Sequence, residues 1–163
     1  MDFTATFAAT PKVVPLSFIF AISVGLNLEL HHVDVETTFL HEDLDEEIYI
    51  EQSPFFVDPK NPHHVCKLKK SLYGLRQSPR MWHLKLHTYL ESIGFKRLEA
   101  KPNLYISKEG KTFILLGVYV DDLPIASNSI NAMRKTISQL KMKFPVKDLG
   151  PMEFCLVIKV TRN

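Results

Sequence analysis

Two adjacent carboxylates lie between hydrophobic segments of this 163-residue chain. Asp121 and Asp122 follow the apolar run 113–118 and precede the short run 123–126. Strand-prone segments on both sides of two acids predict a β-hairpin with the acids at its tip. Aspartate is common in turns, but two carboxylates held together beside buried segments repel each other unless a cation lies between them. The pattern therefore predicts a divalent metal site at this tip.

A third acid lies inside another predicted strand. In the segment 28–40, Asp34 is flanked by Val33 and Val35. An unpaired charge is costly to bury, so an acid in this setting is uncommon. Two interpretations are open. Asp34 faces solvent from an edge strand, or it is a third carboxylate directed at the same metal site as the two acids of the hairpin.

Basic residues are concentrated between positions 67 and 80, with Tyr73 and Gly74 among them. Cations interleaved with an aromatic ring and a glycine suit contact with phosphates and close approach of the backbone. A solvated basic face is the alternative, and it is the usual explanation for a run of charges. The net charge of +2 does not by itself imply a nucleic-acid partner. The basic residues of this run are Lys67, Lys69, Lys70, Arg76 and Arg80.

Other candidate metal ligands are weaker. His83 and His87 are one helical turn apart and could ligate a metal, but no acidic third ligand lies nearby in sequence. Cys66 and Cys155 are not part of a C-x-x-C pattern. Neither a disulfide framework nor a zinc site is therefore indicated, and a reducing compartment is the simple inference.

Composition indicates one globular domain rather than a disordered or membrane protein. Hydrophobic residues make up 45% of the chain and charged residues 23%, the usual globular balance. The apolar segment from Val13 to Leu26 is shorter than a membrane span and contains Pro15. A signal peptide is the alternative for this segment, and a buried helix is preferred because no small-residue cleavage motif follows.

Periodicity predicts three helices. The first is the buried segment 16–26. The second begins with Ser78 as N-cap and Pro79 in the first turn, and it ends at Gly94. The third has Ser127 or Ser129 as N-cap and ends at Pro145. The second helix is predicted to face the core with Trp82, Leu86, Tyr89, Leu90 and Ile93.

The remaining segments predict strands joined by local hairpins. Segments 48–50 and 65–68 form one hairpin with a long proline-containing connection, and segments 104–107 and 111–118 form another. We expect a connection at 95–104, a turn at 147–150 and a final strand at 154–160. This mixture indicates an α+β fold, most simply an antiparallel sheet with helices on one face.

Four blocks of the sequence together form a diagnostic set. They are residues 28–41, which include Asp34; residues 47–52; residues 66–82, which include the basic run; and Tyr119-Val120-Asp121-Asp122. They resemble the reverse transcriptase domain of Ty1/copia-type long-terminal-repeat retrotransposons. The last motif alone would be a weak signal. All four in order, over nearly the whole chain, make a strong one.

The resemblance implies a polymerase palm-like antiparallel sheet packed against helices, with partial fingers. It implies a single domain over residues 1–163 that is a portion of a longer Pol polyprotein with integrase and ribonuclease H regions. The expected substrates are deoxynucleoside triphosphates and a primer on an RNA or DNA template. The expected location is intracellular, in a cytoplasmic particle or the nucleus, with no membrane partner.

The same resemblance implies two-metal nucleotidyl transfer to a primer 3′-hydroxyl. Two Mg²⁺ ions, with Mn²⁺ as an alternative, would lie roughly 3.5–4 Å apart. The catalytic acids would be Asp34, Asp121 and Asp122, of which Asp34 and Asp121 are the main metal ligands. Val35 would contribute its backbone carbonyl to a metal.

The resemblance also assigns contacts to the substrates. Phe39 would exclude a ribose 2′-hydroxyl. Together with Phe39, the nucleotide-binding residues would be Tyr73, Gly74 and Arg76. The residues near the primer or template would be Tyr119, Lys69, Lys70 and Arg80.

The chain departs from the family pattern at several positions. Pro124 replaces an aliphatic residue just after the acids, where proline removes a strand hydrogen-bond donor. Val157 replaces a glycine in a turn that grips the primer. An alternative interpretation is therefore a degenerate, catalytically inactive remnant that folds and at most binds nucleic acid. A weaker third alternative is another two-metal phosphoryl-transfer enzyme on a palm-like fold.

Overall fold

A computed structural model describes residues 14–36, 44, 46–75, 77–155 and 158–159. These residues form three helices and ten strands. The helices are α1 (Val14–Gly25), α2 (Ser78–Ser92) and α3 (Ile130–Lys143). The strands are β1 (Glu29–Val35), β2 (Tyr49–Glu51), β3 (Val65–Lys67), β4 (Lys96–Leu98), β5 (Lys101–Glu109), β6 (Thr112–Gly117), β7 (Asp122–Ser127), β8 (Val146–Pro151), β9 (Phe154–Cys155) and β10 (Ile158–Lys159). Within the described residues, no helix is long and apolar enough to cross a membrane.

Six strands form one antiparallel sheet in the order β4-β5-β6-β7-β1-β8. Strand β1 lies inside this sheet, because it pairs with β7 on one side and β8 on the other. The edge-strand interpretation of Asp34 is therefore wrong. The predicted α+β class, with an antiparallel sheet packed against helices, is confirmed.

Helices cover both faces of the sheet, not one face as the simplest arrangement predicted. Side chains alternate along a strand, so neighbouring residues of β6 enter different cores. Leu116 packs in the cluster that contains Leu86 of α2 and Leu140 of α3. Leu115 packs in the cluster that contains Ile19 of α1. The apolar surface of α1 therefore covers part of the face opposite α2 and α3.

The predicted hairpin at 48–68 is confirmed as a separate two-stranded sheet. Tyr49 pairs with Lys67, and Glu51 pairs with Val65. The side-chain amide of Gln52 donates to the carbonyls of Asn61 and His64, each at 2.8 Å. These bonds hold together the ends of the long connection between β2 and β3.

Three predictions, of a connection, a turn and a strand, were wrong in detail. Residues 95–104 are not a simple connection, since they contain β4 and the start of β5. Residues 147–150 are not a turn but lie within the edge strand β8, whose mostly exposed residues carry no hydrophobic alternation. The expected strand 154–160 is two short paired strands, β9 and β10. Short or solvent-exposed strands lack the period-two pattern on which such predictions depend.

The ends of α2 and α3 are close to the predicted positions. The N-cap of α2 is Gln77 rather than Ser78, because the buried Ser78 hydroxyl donates instead to the carbonyl of Leu72 at 2.9 Å. Gly94 has φ +92°, and the backbone N–H of Phe95 donates to Leu90, which closes the C-terminus of α2. Ser129 is the N-cap of α3, where its side chain accepts from the backbone N–H of Ala132.

Candidate functional site

The predicted hairpin with two acids at its tip is present between β6 and β7. Tyr119 and Asp122 exchange both backbone hydrogen bonds at 2.9 Å. The intervening loop contains only Val120 and Asp121. Val120 has φ +55°, whereas Asp121 is not among the residues with positive φ. A two-residue loop with a positive φ only at its first position has the sign pattern of a type II′ turn.

Two further hydrogen bonds attach this tip to neighbouring elements. The indole N–H of Trp82, in α2, donates to the carbonyl of Val120 at 2.9 Å. The backbone N–H of Val35, at the end of β1, donates to the carbonyl of Asp121 at 2.9 Å. The tip is therefore fixed to the helix behind the sheet and to the strand that carries Asp34.

Asp34 lies directly opposite Asp122 in the register of β1 and β7. Val35 and Asp121 form a hydrogen-bonded pair, so the next pair, Asp34 and Asp122, is a non-hydrogen-bonded pair. Side chains approach more closely in pairs of this kind. Burial raises the pKa of the Asp34 carboxyl, and the charges of Asp122 and Asp121 raise it further, while His32 lowers it. Asp121 and Asp122 are therefore near enough to disfavour the charge on Asp34.

His32 contacts the site, a role that the sequence motifs did not predict. Its Nε2 atom lies 2.6 Å from Oδ1 of Asp122, with both side chains half-buried. A signal was available in the sequence. His32 is two residues before Asp34, and residues i and i+2 of a strand lie on the same face.

The two carboxylate oxygens of Asp121 have different surroundings. Oδ2 accepts a long hydrogen bond of 3.5 Å from the hydroxyl of Tyr73. Oδ1 is buried and makes no hydrogen bond with any described residue. A buried carboxylate oxygen without a donor is unfavourable unless a ligand or water supplies one.

Carboxylate oxygens are the donors that Mg²⁺ prefers, so the chemistry of Asp34, Asp121 and Asp122 fits such an ion. The crowding around Asp34 and the unpaired Oδ1 of Asp121 are features that a bound cation would relieve. The described residues nevertheless contain no group of three or more His, Cys, Asp or Glu side chains placed to hold a metal. The donors fit the ion, but their side chains do not form a ready-made cage.

Comparison with known proteins identifies the family. A family model described as reverse transcriptase (RNA-dependent DNA polymerase) matches residues 1–163, the whole chain. The chain belongs to the reverse transcriptase family. Its relatives are Pol polyproteins of Ty1/copia-type transposons, as the four sequence blocks indicated.

Three relatives illustrate the similarity. The chain is 37% identical over 164 residues to the retrovirus-related Pol polyprotein from transposon TNT 1-94 of Nicotiana tabacum, which covers 100% of this chain and 12% of the relative. It is 33% identical over 162 residues to the retrovirus-related Pol polyprotein from transposon RE1 of Arabidopsis thaliana. That alignment covers 99% of this chain and 11% of the relative. It is 36% identical over 131 residues to the putative transposon Ty5-1 protein of Saccharomyces cerevisiae. That alignment covers 80% of this chain and 42% of the relative. The chain therefore spans a minor part of each relative.

The other residues that the reverse transcriptase resemblance singled out, where the structure describes them, lie around the hairpin or on exposed surfaces. Tyr73 is exposed and reaches Asp121, and Gly74 beside it has φ +96°. Tyr119 is half-buried and packs against the cluster of Leu16 and Met152. Lys69, Lys70 and Arg80 are exposed. Phe39 and Arg76 lie outside the described residues.

Part of the basic run has an ordinary structural role. Lys67 forms an ion pair with Glu47 beside the β2–β3 hairpin, and both side chains are exposed. Among the described residues, His83 and His87 belong to no group of three or more side chains that could hold a metal. Their rings stack at 6.4 Å, and Nδ1 of His87 lies 3.3 Å from the hydroxyl of Tyr105.

Proposed function

We propose that this chain forms the palm and part of the fingers of an RNA-directed DNA polymerase that adds nucleotides to a primer 3′-hydroxyl. The observation that carries the proposal is the register of Asp34 opposite Asp122 on two interior strands, with Asp121 at the adjoining tip. Polymerisation requires carboxylates from separate elements near one point. The register supports this role because it brings the backbones of Asp34 and Asp122 together at one end of the sheet.

In this proposal, Asp34 and Asp121 bind two Mg²⁺ ions, Asp122 completes the acidic set, and Val35 contributes its carbonyl. When bound, the ions would activate the primer hydroxyl and neutralise charge on the triphosphate. The chain's own part is to hold the acids close together before the ions arrive. The bond from Val35 to Asp121 and the bond between His32 and Asp122 serve this purpose.

The substrate contacts belong to the same proposal. Exposed cations attract the phosphates of a primer on an RNA or DNA template. Tyr73 lies beside Asp121, as a residue that contacts the incoming deoxynucleotide should. The proposed nucleotide contacts are Phe39, Tyr73, Gly74 and Arg76, and the proposed primer or template contacts are Tyr119, Lys69, Lys70 and Arg80. We further propose an intracellular polyprotein context, with integrase and ribonuclease H regions, from the Pol relatives.

A second candidate is a folded remnant without polymerase activity, and Pro124 favours it. The pairs between β6 and β7 stop at Leu116 and Ile125, and the next pair would join Gly117 to Pro124. Proline has no N–H to donate at that position. The hairpin is therefore weakened two residues from Asp122. Val157, the other departure, lies outside the described residues.

Primer extension on an RNA template with Mg²⁺ tests the first candidate. The native chain is compared with Asp121→Asn, which removes a charge without changing the size of the side chain. The control variant is Glu109→Gln, which removes an exposed acid at the far end of β5. We expect Asp121→Asn to lose on the order of a hundredfold or more in rate, and Glu109→Gln to match the native chain.

Equal incorporation by Asp121→Asn and the native chain would remove the role assigned to Asp121. If the native chain itself is inactive, Pro124→Leu and Val157→Gly are introduced together in a chain extended to full fingers and thumb. Activity that appears only after those two changes supports the remnant. Activity of the extended chain without them supports the polymerase.

A further inference from the structure

Val120 has a backbone conformation that its side chain disfavours. Its φ of +55° lies in the left-handed region, which is rare for a β-branched residue. The first position of a type II′-like loop favours glycine. Some contact outside the two-residue loop must therefore offset this preference, or the tip would relax to another turn.

Trp82 supplies such a contact. Its indole N–H donates to the carbonyl of Val120 at 2.9 Å. The indole itself has little freedom, because it is only 3% exposed and packs edge-on against Phe144 with ring centroids 5.2 Å apart. A donor held rigidly by the core fixes the direction of the carbonyl that it binds.

The position of this carbonyl matters for the acid that follows it. The peptide that carries the Val120 carbonyl also carries the backbone N–H of Asp121. On its other side, the carbonyl of Asp121 accepts from Val35. Fixing both peptides that flank Asp121 fixes the direction in which its carboxylate leaves the backbone.

We propose that Trp82 is a positioning residue for the hairpin, which holds Val120 in the left-handed conformation and thereby directs Asp121 toward Asp34. The hydrogen-bonding part of this proposal stands on the structure alone. Its consequence for nucleotide transfer rests on the proposed function. A simpler interpretation is that a buried indole N–H needs some acceptor and that Val120 happens to provide it.

Three variants of the full chain separate these interpretations. Trp82→Phe removes the N–H but keeps an aromatic ring in the core. Tyr89→Phe is the matched control, because the Tyr89 hydroxyl also joins α2 to a carbonyl, that of Gln139 at 2.5 Å. Tyr89 also packs edge-on against Phe144, at 5.3 Å. Val120→Gly removes the conformational penalty at the tip.

Backbone amide hydrogen exchange at Tyr119 and Asp122 is the readout, since these amides form the bonds that close the tip. We expect Trp82→Phe to accelerate exchange at the tip about fivefold relative to Tyr89→Phe, the factor for losing one neutral hydrogen bond. Adding Val120→Gly to Trp82→Phe should return exchange to within about twofold of Val120→Gly alone, because glycine adopts positive φ without help. Adding it to Tyr89→Phe should give no such recovery.

Equal tip exchange in Trp82→Phe and Tyr89→Phe overturns the proposal, as does a failure of Val120→Gly to restore protection. If Trp82→Phe does not fold, the double variant with Val120→Gly decides: its folding supports the proposal, and its failure to fold overturns it. Primer extension is measured on the same proteins. An inactive native chain with the expected exchange pattern leaves the role of Trp82 intact, and the extended chain then decides the proposed function.

Discussion

The Nε2 atom of His32 lies 2.6 Å from Oδ1 of Asp122, and this contact runs diagonally across β1 and β7. His32 is opposite Pro124 in the register, while Asp122 is opposite Asp34. Asp122 therefore has a hydrogen-bond partner on one side and a like charge on the other. The imidazole compensates part of the negative charge that crowds this end of the sheet.

Replacing His32 should show how much the acids depend on this partner. His32→Leu leaves a half-buried carboxylate without its donor, so we expect the free energy of unfolding to fall by about 1–2 kcal/mol at neutral pH. His32→Gln retains a side-chain N–H donor of similar reach and should recover at least half of the loss. Urea unfolding monitored by circular dichroism measures both changes.

The control for this prediction is His63→Leu, because His63 is exposed in the connection between β2 and β3. We expect it to change stability by less than about 0.5 kcal/mol. Equal stability of His32→Leu and His32→Gln would mean that the bond to Asp122 contributes nothing and that only the volume of the ring matters.

Asp34→Asn should stabilise the metal-free chain. Burial and the charges of Asp122 and Asp121 raise the pKa of Asp34 above its unfolded value, so its ionised form disfavours folding at neutral pH. Removing the charge should raise the free energy of unfolding by up to about 1 kcal/mol, a limit set by solvent screening of a half-exposed group.

In millimolar Mg²⁺ the native chain should become more stable than Asp34→Asn. An ion that binds only the folded state stabilises it by mass action, and Asp34→Asn removes one of its proposed ligands. We therefore expect Mg²⁺ to raise the thermal unfolding midpoint of the native chain and of Glu109→Gln, but not that of Asp34→Asn. An equal rise in all three proteins would indicate general screening of charge rather than a bound ion.

Strong local patterns predicted much of this fold. The hairpin around Asp121 combines two apolar runs with a turn, and the buried stripe of α2 repeats with helical spacing, so both are found where expected. Strand β8 could not be predicted in this way. Its exposed residues have no alternation, and only the position of its partner β1 makes Val146–Pro151 a strand.

The site was predictable in composition but not in arrangement. The family resemblance and the unusual position of an acid inside a predicted strand indicated Asp34 as a site residue. Only the register of β1 and β7 places it opposite Asp122. The contacts made by His32 and Trp82 are long-range, across 90 and 38 residues of sequence. Such contacts depend on which strands become neighbours, and no local periodicity encodes that choice.

Pro124→Leu should strengthen the sheet beside the acids. Val35 and Asp121 form a hydrogen-bonded pair, and such pairs alternate with non-hydrogen-bonded pairs along β1 and β7. Pro124 therefore occupies a non-hydrogen-bonded position opposite β1. Its backbone nitrogen is directed to the other side, at Gly117 of β6. Leucine would provide an N–H there, and we expect about 1 kcal/mol of added stability. Urea unfolding measures the gain, and amide exchange at residues 117–125 locates it.

Pro59→Leu is the control for this change, because Pro59 lies in the exposed connection between β2 and β3. It should alter stability by less than about 0.5 kcal/mol. A loss of stability in Pro124→Leu would mean that the leucine side chain does not fit at this buried position. The packing of the proline ring would then contribute more to stability than the missing backbone hydrogen bond costs.

Gly117→Ala should destabilise the junction of α1 and the sheet. A Cβ at this position would lie 2.5 Å from Cδ1 of Ile19 and 3.0 Å from Cγ of Pro124. Both neighbours are buried, so the added methyl group should cost about 1–3 kcal/mol. Adding Ile19→Val, which deletes the clashing Cδ1 atom, should recover at least half of that loss.

Gly25→Ala provides the comparison, since a Cβ there would meet nothing within 4 Å and Gly25 has no positive φ. It should leave the thermal unfolding midpoint within about 2 °C of the native value, because surface changes away from such contacts are small. If Ile19→Val fails to relieve Gly117→Ala, then Pro124 rather than α1 is the neighbour that limits space at Gly117.

His83 should make stability depend on pH below neutrality. Burial lowers its pKa, and the positive charges of Arg97 on β4 and of His87 on α2 lower it further. In the unfolded chain the His83 ring therefore binds a proton at about pH 6.5, whereas in the folded chain the ring is protonated only at a lower pH. Above about pH 6.5 the ring is neutral in both the folded and the unfolded chain, so it causes no loss of stability there. As the pH falls through this window toward the folded pKa, stability decreases.

Urea unfolding between pH 8 and pH 5 tests this dependence, with NMR titration of the His83 ring to locate the folded pKa. His83→Gln should flatten the acid side of the stability profile, whereas the exposed His63→Gln should leave it unchanged. Arg97→Gln should raise the pKa of His83 only in part, because burial is the larger cause. A full return to the ordinary histidine value in Arg97→Gln would assign the shift to charge rather than to burial.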